Sequence, residues 1–253
     1  MIGIFDSGSG GLTVLREIRE QMPSADILYF GDIKNAPYGS KSNAELGALT
    51  VQAIELLQKR GATSIVSACN SVSASLAVSL FDALSLAPDS LIEMVGPTVS
   101  SFKDSSARLL LAATPATIGS EIYQNAFRMI GKDVGTLAIP DLASAIEFGS
   151  SEEEVERIIR EAFACVQPDD FDAVVLACTH YPLVTHLFER VLGSMPLFDP
   201  ALAVGVRTKR QLWPREVGDG STRFIISRDS QPFRDRVAAL LPEGGFSIEV
   251  LSA

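Results

Sequence analysis

Short runs of Ile, Val, Leu and Phe recur along the chain, separated by longer stretches in which apolar residues return every three or four positions. The runs Ile2 to Phe5, Ile27 to Phe30, Ser64 to Ser67, Leu91 to Val95, Leu109 to Ala112, Gly135 to Ile139, Ala173 to Ala177 and Phe224 to Ser227 each meet turn-forming residues at their ends and predict strands. Between them, Leu12 to Met22 puts Leu12, Leu15, Ile18 and Met22 on one helical face. Asn43 to Lys59 and Glu152 to Cys165 repeat that pattern with charges opposite, and Gln231 to Leu241 adds a helix in the tail. A strand that carries no polar side is covered on both faces, so the alternation predicts an α/β fold with mostly parallel sheets.

The pattern also echoes itself. SIVSACNS around Cys69 returns as AVVLACTH around Cys178, 109 residues later, and GDI at Asp32 returns as PDL at Asp141 at the same offset. FDSGSGG after Phe5 is matched by AATPATIG after Ala112 at an offset of 107. Three matched strand ends predict two similar lobes, and the shared cysteine weighs against a chance likeness among small-residue strand ends. The expected division is 1–97 with 207–253 as the first lobe and 98–206 as the second, with Gly96–Pro97 and Asp199–Pro200 as turn-rich crossing points.

Composition narrows the function. The 253 residues are 47% hydrophobic and 21% charged, which fits one large or two small globular domains. A net charge of −10 with scattered Lys and Arg argues against nucleic acid as a partner. No basic, apolar leader opens the chain and no apolar run is long enough to span a membrane, so a cytoplasmic location is expected. Three cysteines without a C-x-x-C pair fit neither a disulfide framework nor a zinc site.

Candidate chemistry gathers where α/β folds place ligands, at the carboxyl ends of strands. Those ends read Asp6-Ser7-Gly8, Cys69-Asn70-Ser71, Ala113-Thr114 with Thr117, and Cys178-Thr179-His180. Taken singly, a free cysteine at a strand end is commonly a small buried hydrophobe. Two in matched positions, each before a polar residue that opens a helix, point to thiols poised as bases or nucleophiles. His180 is two residues from Cys178, close enough to tune it. His180 and His186 are six apart, which suits no metal pair on one helix face. DSGSGG lacks the last glycine of a dinucleotide loop and predicts instead a backbone N–H nest for an anion. By spacing alone Glu147 reads as a solvated helix-end carboxylate, and Cys165 and Trp213 read as packing residues.

The segments IGIFDSGSGGLTVL, YFGDIKNAPYGSKS, SACNSVSAS, LAATPATIGSEIY, IPDLASAIEFG, LACTHYPL, FDPA and FIISRDSQPFRDRVAALL together resemble the glutamate racemases of the aspartate/glutamate racemase superfamily over almost the whole chain. The resemblance implies two pseudo-symmetric three-layer lobes with the active site in the cleft between them. It implies cofactor-independent racemisation of glutamate, supplying D-glutamate for peptidoglycan, with no metal and in a homodimer. In that reading Cys69 and Cys178 flank Cα as the two bases, Asp6 assists at Cys69, and Glu147 and His180 assist around Cys178. Substrate binding falls to Ser7, Pro37, Tyr38, Gly39, Asn70, Ser71, Thr114, Thr117 and Thr179. Ser71 stands where the family usually has threonine, and Ile33-Lys34-Asn35 also departs from the common pattern, which leaves a racemase of aspartate or a related acid as an alternative. A non-catalytic amino-acid-binding protein on the same scaffold is the other.

Overall fold

Continuous apolar runs become strands here because each can be buried on both faces. In the computed structural model, which describes residues 1–75, 87 and 89–252, the strands are β1 (Ile2–Asp6), β2 (Ile27–Gly31), β3 (Ser64–Ser67), β4 (Leu91–Ile92), β5 (Leu109–Ala113), β6 (Gly135–Ala138), β7 (Ala173–Ala177), β8 (Leu197–Phe198), β9 (Thr222–Ile226) and β10 (Phe246–Val250). They form a six-stranded sheet ordered β10-β9-β2-β1-β3-β4 and a four-stranded sheet ordered β6-β5-β7-β8. Every pairing is parallel.

With β1–β4 set against β5–β8, the two sheets share one order, and β9 and β10 extend the first beyond β2. The sequence echo thus has a topological counterpart: Asp6 and Thr114 lie at the ends of β1 and β5, Asp32 and Asp141 follow β2 and β6, and Cys69 and Cys178 follow β3 and β7.

Side chains alternate between faces with the strand period of two. Ile2, Ile4 and Tyr29 join one core cluster of the first sheet, Phe5, Leu28 and Phe30 the other. In the second sheet Leu110, Ala112, Val174 and Leu176 face one cluster, and Leu109, Leu111, Val175 and Ala177 the other. Helices cover these faces. Leu12–Gln21 buries Leu12, Leu15 and Ile18, and Ala201, Val204 and Leu212 of helix Pro200–Leu212 pack into the same cluster. Helix Asn43–Lys59 opens on a capping box, the Ser42 hydroxyl accepting from Glu45 N while the Glu45 carboxylate accepts from Ser42 N at 2.9 Å.

Three local expectations need correction, and two strands carried none. The run Leu91 to Val95 is a two-residue strand, because the Glu93 carboxylate turns back to accept from the N–H groups of Val95 and Gly96 and starts helix Val95–Ser100. Strands β8 and β10 were not foreseen, one being two residues long and the other half-exposed at a sheet edge. Cys165 is exposed, because helix Glu152–Phe163 ends before it. Trp213 is 42% exposed, since it lies past the last turn of helix Pro200–Leu212. Among the described residues no helix is long and apolar enough to cross a membrane, and no cluster of His, Cys, Asp and Glu could hold a metal ion.

Candidate active site

The loops that leave β1, β3, β5 and β7 converge on one cavity between the sheets, about 20 Å³ in this closed arrangement, roughly the room one water needs. Ser7 enters from β1, Pro37, Tyr38 and Gly39 from the loop after β2, and Cys69, Asn70 and Ser71 from β3. From the second sheet come Thr114 after β5, Glu147 on helix Leu142–Phe148, and Cys178, Thr179 and His180 after β7. Ala36 and Ala143 complete the lining, which among the described residues contains no Lys or Arg. Asp6 and Thr117 are fully buried behind it: Asp6 accepts from the Thr179 hydroxyl at 3.0 Å, and Thr117 shares hydroxyl contacts with Thr114 at 3.0 Å and Ser71 at 3.5 Å.

The two cysteines come from different sheets into unlike surroundings. Cys69 contacts the Ser7 hydroxyl at 3.8 Å, and burial, reinforced by the Asp6 carboxylate, pushes its thiol up to about 12. Cys178 lies 4.0 Å from His180 Nδ1, and His180 Nε2 lies 2.7 Å from Glu147 Oε2. Burial alone would pull the imidazole down, but hydrogen bonds to Cys178 and Glu147 prevail and hold it up at about 10. Burial raises the Glu147 carboxyl, yet His180 and the Ser9 donors bring it below its ordinary value. Burial also raises the Asp6 carboxyl, against the pull of His180. A cation therefore stands beside one sulfur and a carboxylate near the other.

The N–H nest after β1 is real, but protein carboxylates fill it. Gly8 N donates to Asp6 Oδ1 at 2.9 Å, and Ser9 donates to Glu147 Oε2 from its backbone N at 2.9 Å and its hydroxyl at 2.6 Å. Glu147 is accordingly 1% exposed, not a solvated helix end. The glycines are required by proximity: a Cβ on Gly8 would lie 2.6 Å from the Glu147 carboxyl carbon, and one on Gly10 2.6 Å from Thr179 Oγ1 and 2.7 Å from His180 Nδ1.

Comparison with known proteins fixes the family. Residues 3–207 match the family described as Asp/Glu/Hydantoin racemase. The chain belongs to that family. Glutamate racemase 3 of Caldanaerobacter subterraneus subsp. tengcongensis is 32% identical over 254 residues, covering 96% of this chain and 91% of the relative. A glutamate racemase of Clostridium perfringens is 38% identical over 197 residues, covering 76% of this chain and 75% of the relative. Among solved structures, glutamate racemase isoform RacE1 of Bacillus anthracis superposes with a TM-score of 0.87 at 27% identity, covering 100% of this chain and 97% of that one. Glutamate racemase of Francisella tularensis in complex with D-glutamate gives 0.86 at 28% identity, covering 99% and 97%. An aspartate racemase of Picrophilus torridus, at 19% identity and a TM-score of 0.58 over 83% of this chain and 93% of that one, shares the fold.

Within this racemase-family site, sequence reasoning missed several supporting groups. The Tyr123 hydroxyl donates to Asn70 Oδ1 at 2.6 Å and leaves the buried Asn70 Nδ2 without a protein partner. The Tyr38 hydroxyl donates to Asp32 Oδ2 at 2.6 Å, which anchors the Pro37–Gly39 loop. Arg236, on helix Gln231–Leu240, reaches the Ser9 hydroxyl at 2.6 Å. Tyr123 and Arg236 lie inside the segments SEIY and FRDRV that carry the family resemblance, but nothing in their spacing marks them as part of a site.

Proposed function

We propose that the chain interconverts L- and D-glutamate without a cofactor, by proton transfer between Cys69 and Cys178. The observation that carries this reading is the pair of thiols brought from two sheets into one buried cavity lined by hydroxyls and amides. Inversion at Cα needs a base on one face and an acid on the other. One sulfur, as thiolate, takes the Cα proton. The electron pair left on carbon accepts a proton at the opposite face from the other thiol, and the sulfurs exchange protonation states.

The surroundings suit this division of labour. His180, held by Glu147, keeps a positive charge next to Cys178, while burial and Asp6 favour a protonated Cys69. Asn70 Nδ2 and the hydroxyls of Ser7, Ser71 and Thr114 are the donors for substrate carboxylates, with Thr179 held by Asp6 along the lining, Thr117 bracing the hydroxyl cluster and Tyr38 and Gly39 forming a wall. Local donors in a dry cleft outweigh a screened surface field, so the net charge of −10 does not bar an acidic substrate. Relatives named as glutamate racemases, and the complex of one with D-glutamate, support glutamate as that substrate. The reading includes a cytoplasmic homodimer supplying D-glutamate for peptidoglycan. It divides the chain into lobes 1–97 with 207–253 and 98–206.

Cys69→Ala and Cys178→Ala are each expected to abolish racemisation, followed by circular dichroism with glutamate and aspartate side by side. Near-normal turnover in Cys178→Ala overturns the two-base mechanism, and turnover of aspartate alone overturns the substrate. In D2O the product of either enantiomer should carry deuterium at Cα, and fully protonated product excludes the mechanism.

A further inference from the structure

Helix Leu142–Phe148 delivers Glu147 to the cavity, and its last carbonyls, like those of any helix, have no partner within it. Gly149 ends the helix in the left-handed region, with φ 76°. The Ile146 carbonyl accepts from Gly149 N at 3.4 Å and from Arg236 Nη2 in close contact, and the Glu147 carbonyl accepts from Arg236 Nη1 at 3.3 Å. Nη1 also donates to the Ser9 hydroxyl at 2.6 Å and lies 3.8 Å from Glu147 Oε2. Arg236 belongs to the other lobe: its neighbours Phe233 and Val237 are in the core of the first sheet, whereas Ile146 is in that of the second.

One guanidinium therefore caps the helix that carries Glu147, holds the serine that donates to Glu147, and adds a positive charge beside its carboxylate. The fork geometry of Arg allows all three at once, which a point charge could not do. Among the described residues the ion pairs of Glu147 are with His180 and Arg236. Through space Glu147 in turn helps to raise the Asp6 carboxyl. On its outer side Arg236 borders a groove shared with Arg16, Arg19 and Glu20, and Asp235 neighbours it on its own helix.

We propose that Arg236 is a positioning residue for the Glu147–His180 pair, clamping it across the two lobes so that the imidazolium is held against Cys178. The proposal rests on the two-thiol reading above. It assigns Arg236 to the Cys178 side of the reaction and gives it no part at Cys69. Removing it takes away the charge beside the Glu147 carboxylate and a donor to the helix end, and so loosens the hold of His180 on the Cys178 sulfur.

The test compares Arg236→Met and Arg236→Lys with the parent, all carrying Cys165→Ser so that the exposed thiol does not compete for reagent. Iodoacetamide labelling at pH 7, resolved by peptide mass, reads each active-site cysteine separately and needs no substrate, because the thiolate is the reactive form. In Arg236→Met, labelling of Cys178 should slow roughly tenfold, the scale of one charge-assisted hydrogen bond, with Cys69 unchanged. Racemisation should lose a similar factor in kcat with KM unchanged, and Arg236→Lys should recover part of both. Unchanged Cys178 labelling, equal slowing at both cysteines, or a change confined to KM overturns the proposal. Slowed Cys178 labelling in a protein whose parent does not racemise glutamate would leave the clamp standing and remove the proposed substrate.

Discussion

The acid–base character of the site is set by neighbours, not by cysteine itself. Burial and the Asp6 carboxylate hold Cys69 protonated, and a polar chain that starts at Arg236 and passes through Ser9 and Glu147 to His180 brings a cation to Cys178. That chain has a consequence for stability. His180 titrates near its ordinary 6.5 when unfolded and at about 10 when folded, so its contribution is fully present below 6.5 and is lost as pH rises through 10. Cys69 adds a loss of the same sign, beginning only above its ordinary 9.0. Thermal unfolding measured between pH 6.5 and 9 should therefore show a falling Tm, and His180→Gln should flatten that slope. An equal slope in the variant would mean that the imidazolium is not held in the fold.

At the scale of elements, strands buried on both faces were legible because nothing polar interrupts them. Every long strand of the two sheets was anticipated within two residues at either end, apart from β10, whose alternating exposure at an edge gives a weak signal. Leu91 to Val95 misled because the side chain of Glu93 acts on the backbone, which hydropathy does not register. Arg236 was illegible for a related reason: an arginine on an amphipathic tail helix reads as solvated, and only the meeting of two lobes gives it partners. Glu147 was likewise ambiguous until the nest after β1 was placed opposite it. Helix starts were easier, since capping chemistry is local. Ser42→Ala should remove the capping box of helix Asn43–Lys59, cost about 1 kcal/mol and lower Tm by a few degrees without changing racemisation. A melting temperature equal to the parent's would show that the cap contributes nothing.

For the whole molecule, the repeated sheet order explains how one chain presents two thiols to one small volume. The cavity holds about 20 Å³, so an amino acid fits only if its walls part and return. Gly10 lies at one of the closest approaches between the loops of the two sheets. In Gly10→Ala the new methyl would meet Thr179 and His180 and hold the lobes ajar. Displacement on the ångström scale should cost about a hundredfold in kcat with the fold intact by far-ultraviolet circular dichroism. Parent-like turnover would show that closure tolerates the methyl.

Gly8 and Gly10 together carry a lesson about engineering. The loop after β1 is hollowed to the shape of side chains that the other half of the chain supplies, so neither half is a finished tool. A hybrid enzyme assembled from the halves of two relatives would inherit a socket cut for one plug and a plug cut for another socket. It would work only if Gly8, Gly10, Glu147 and His180 travelled together.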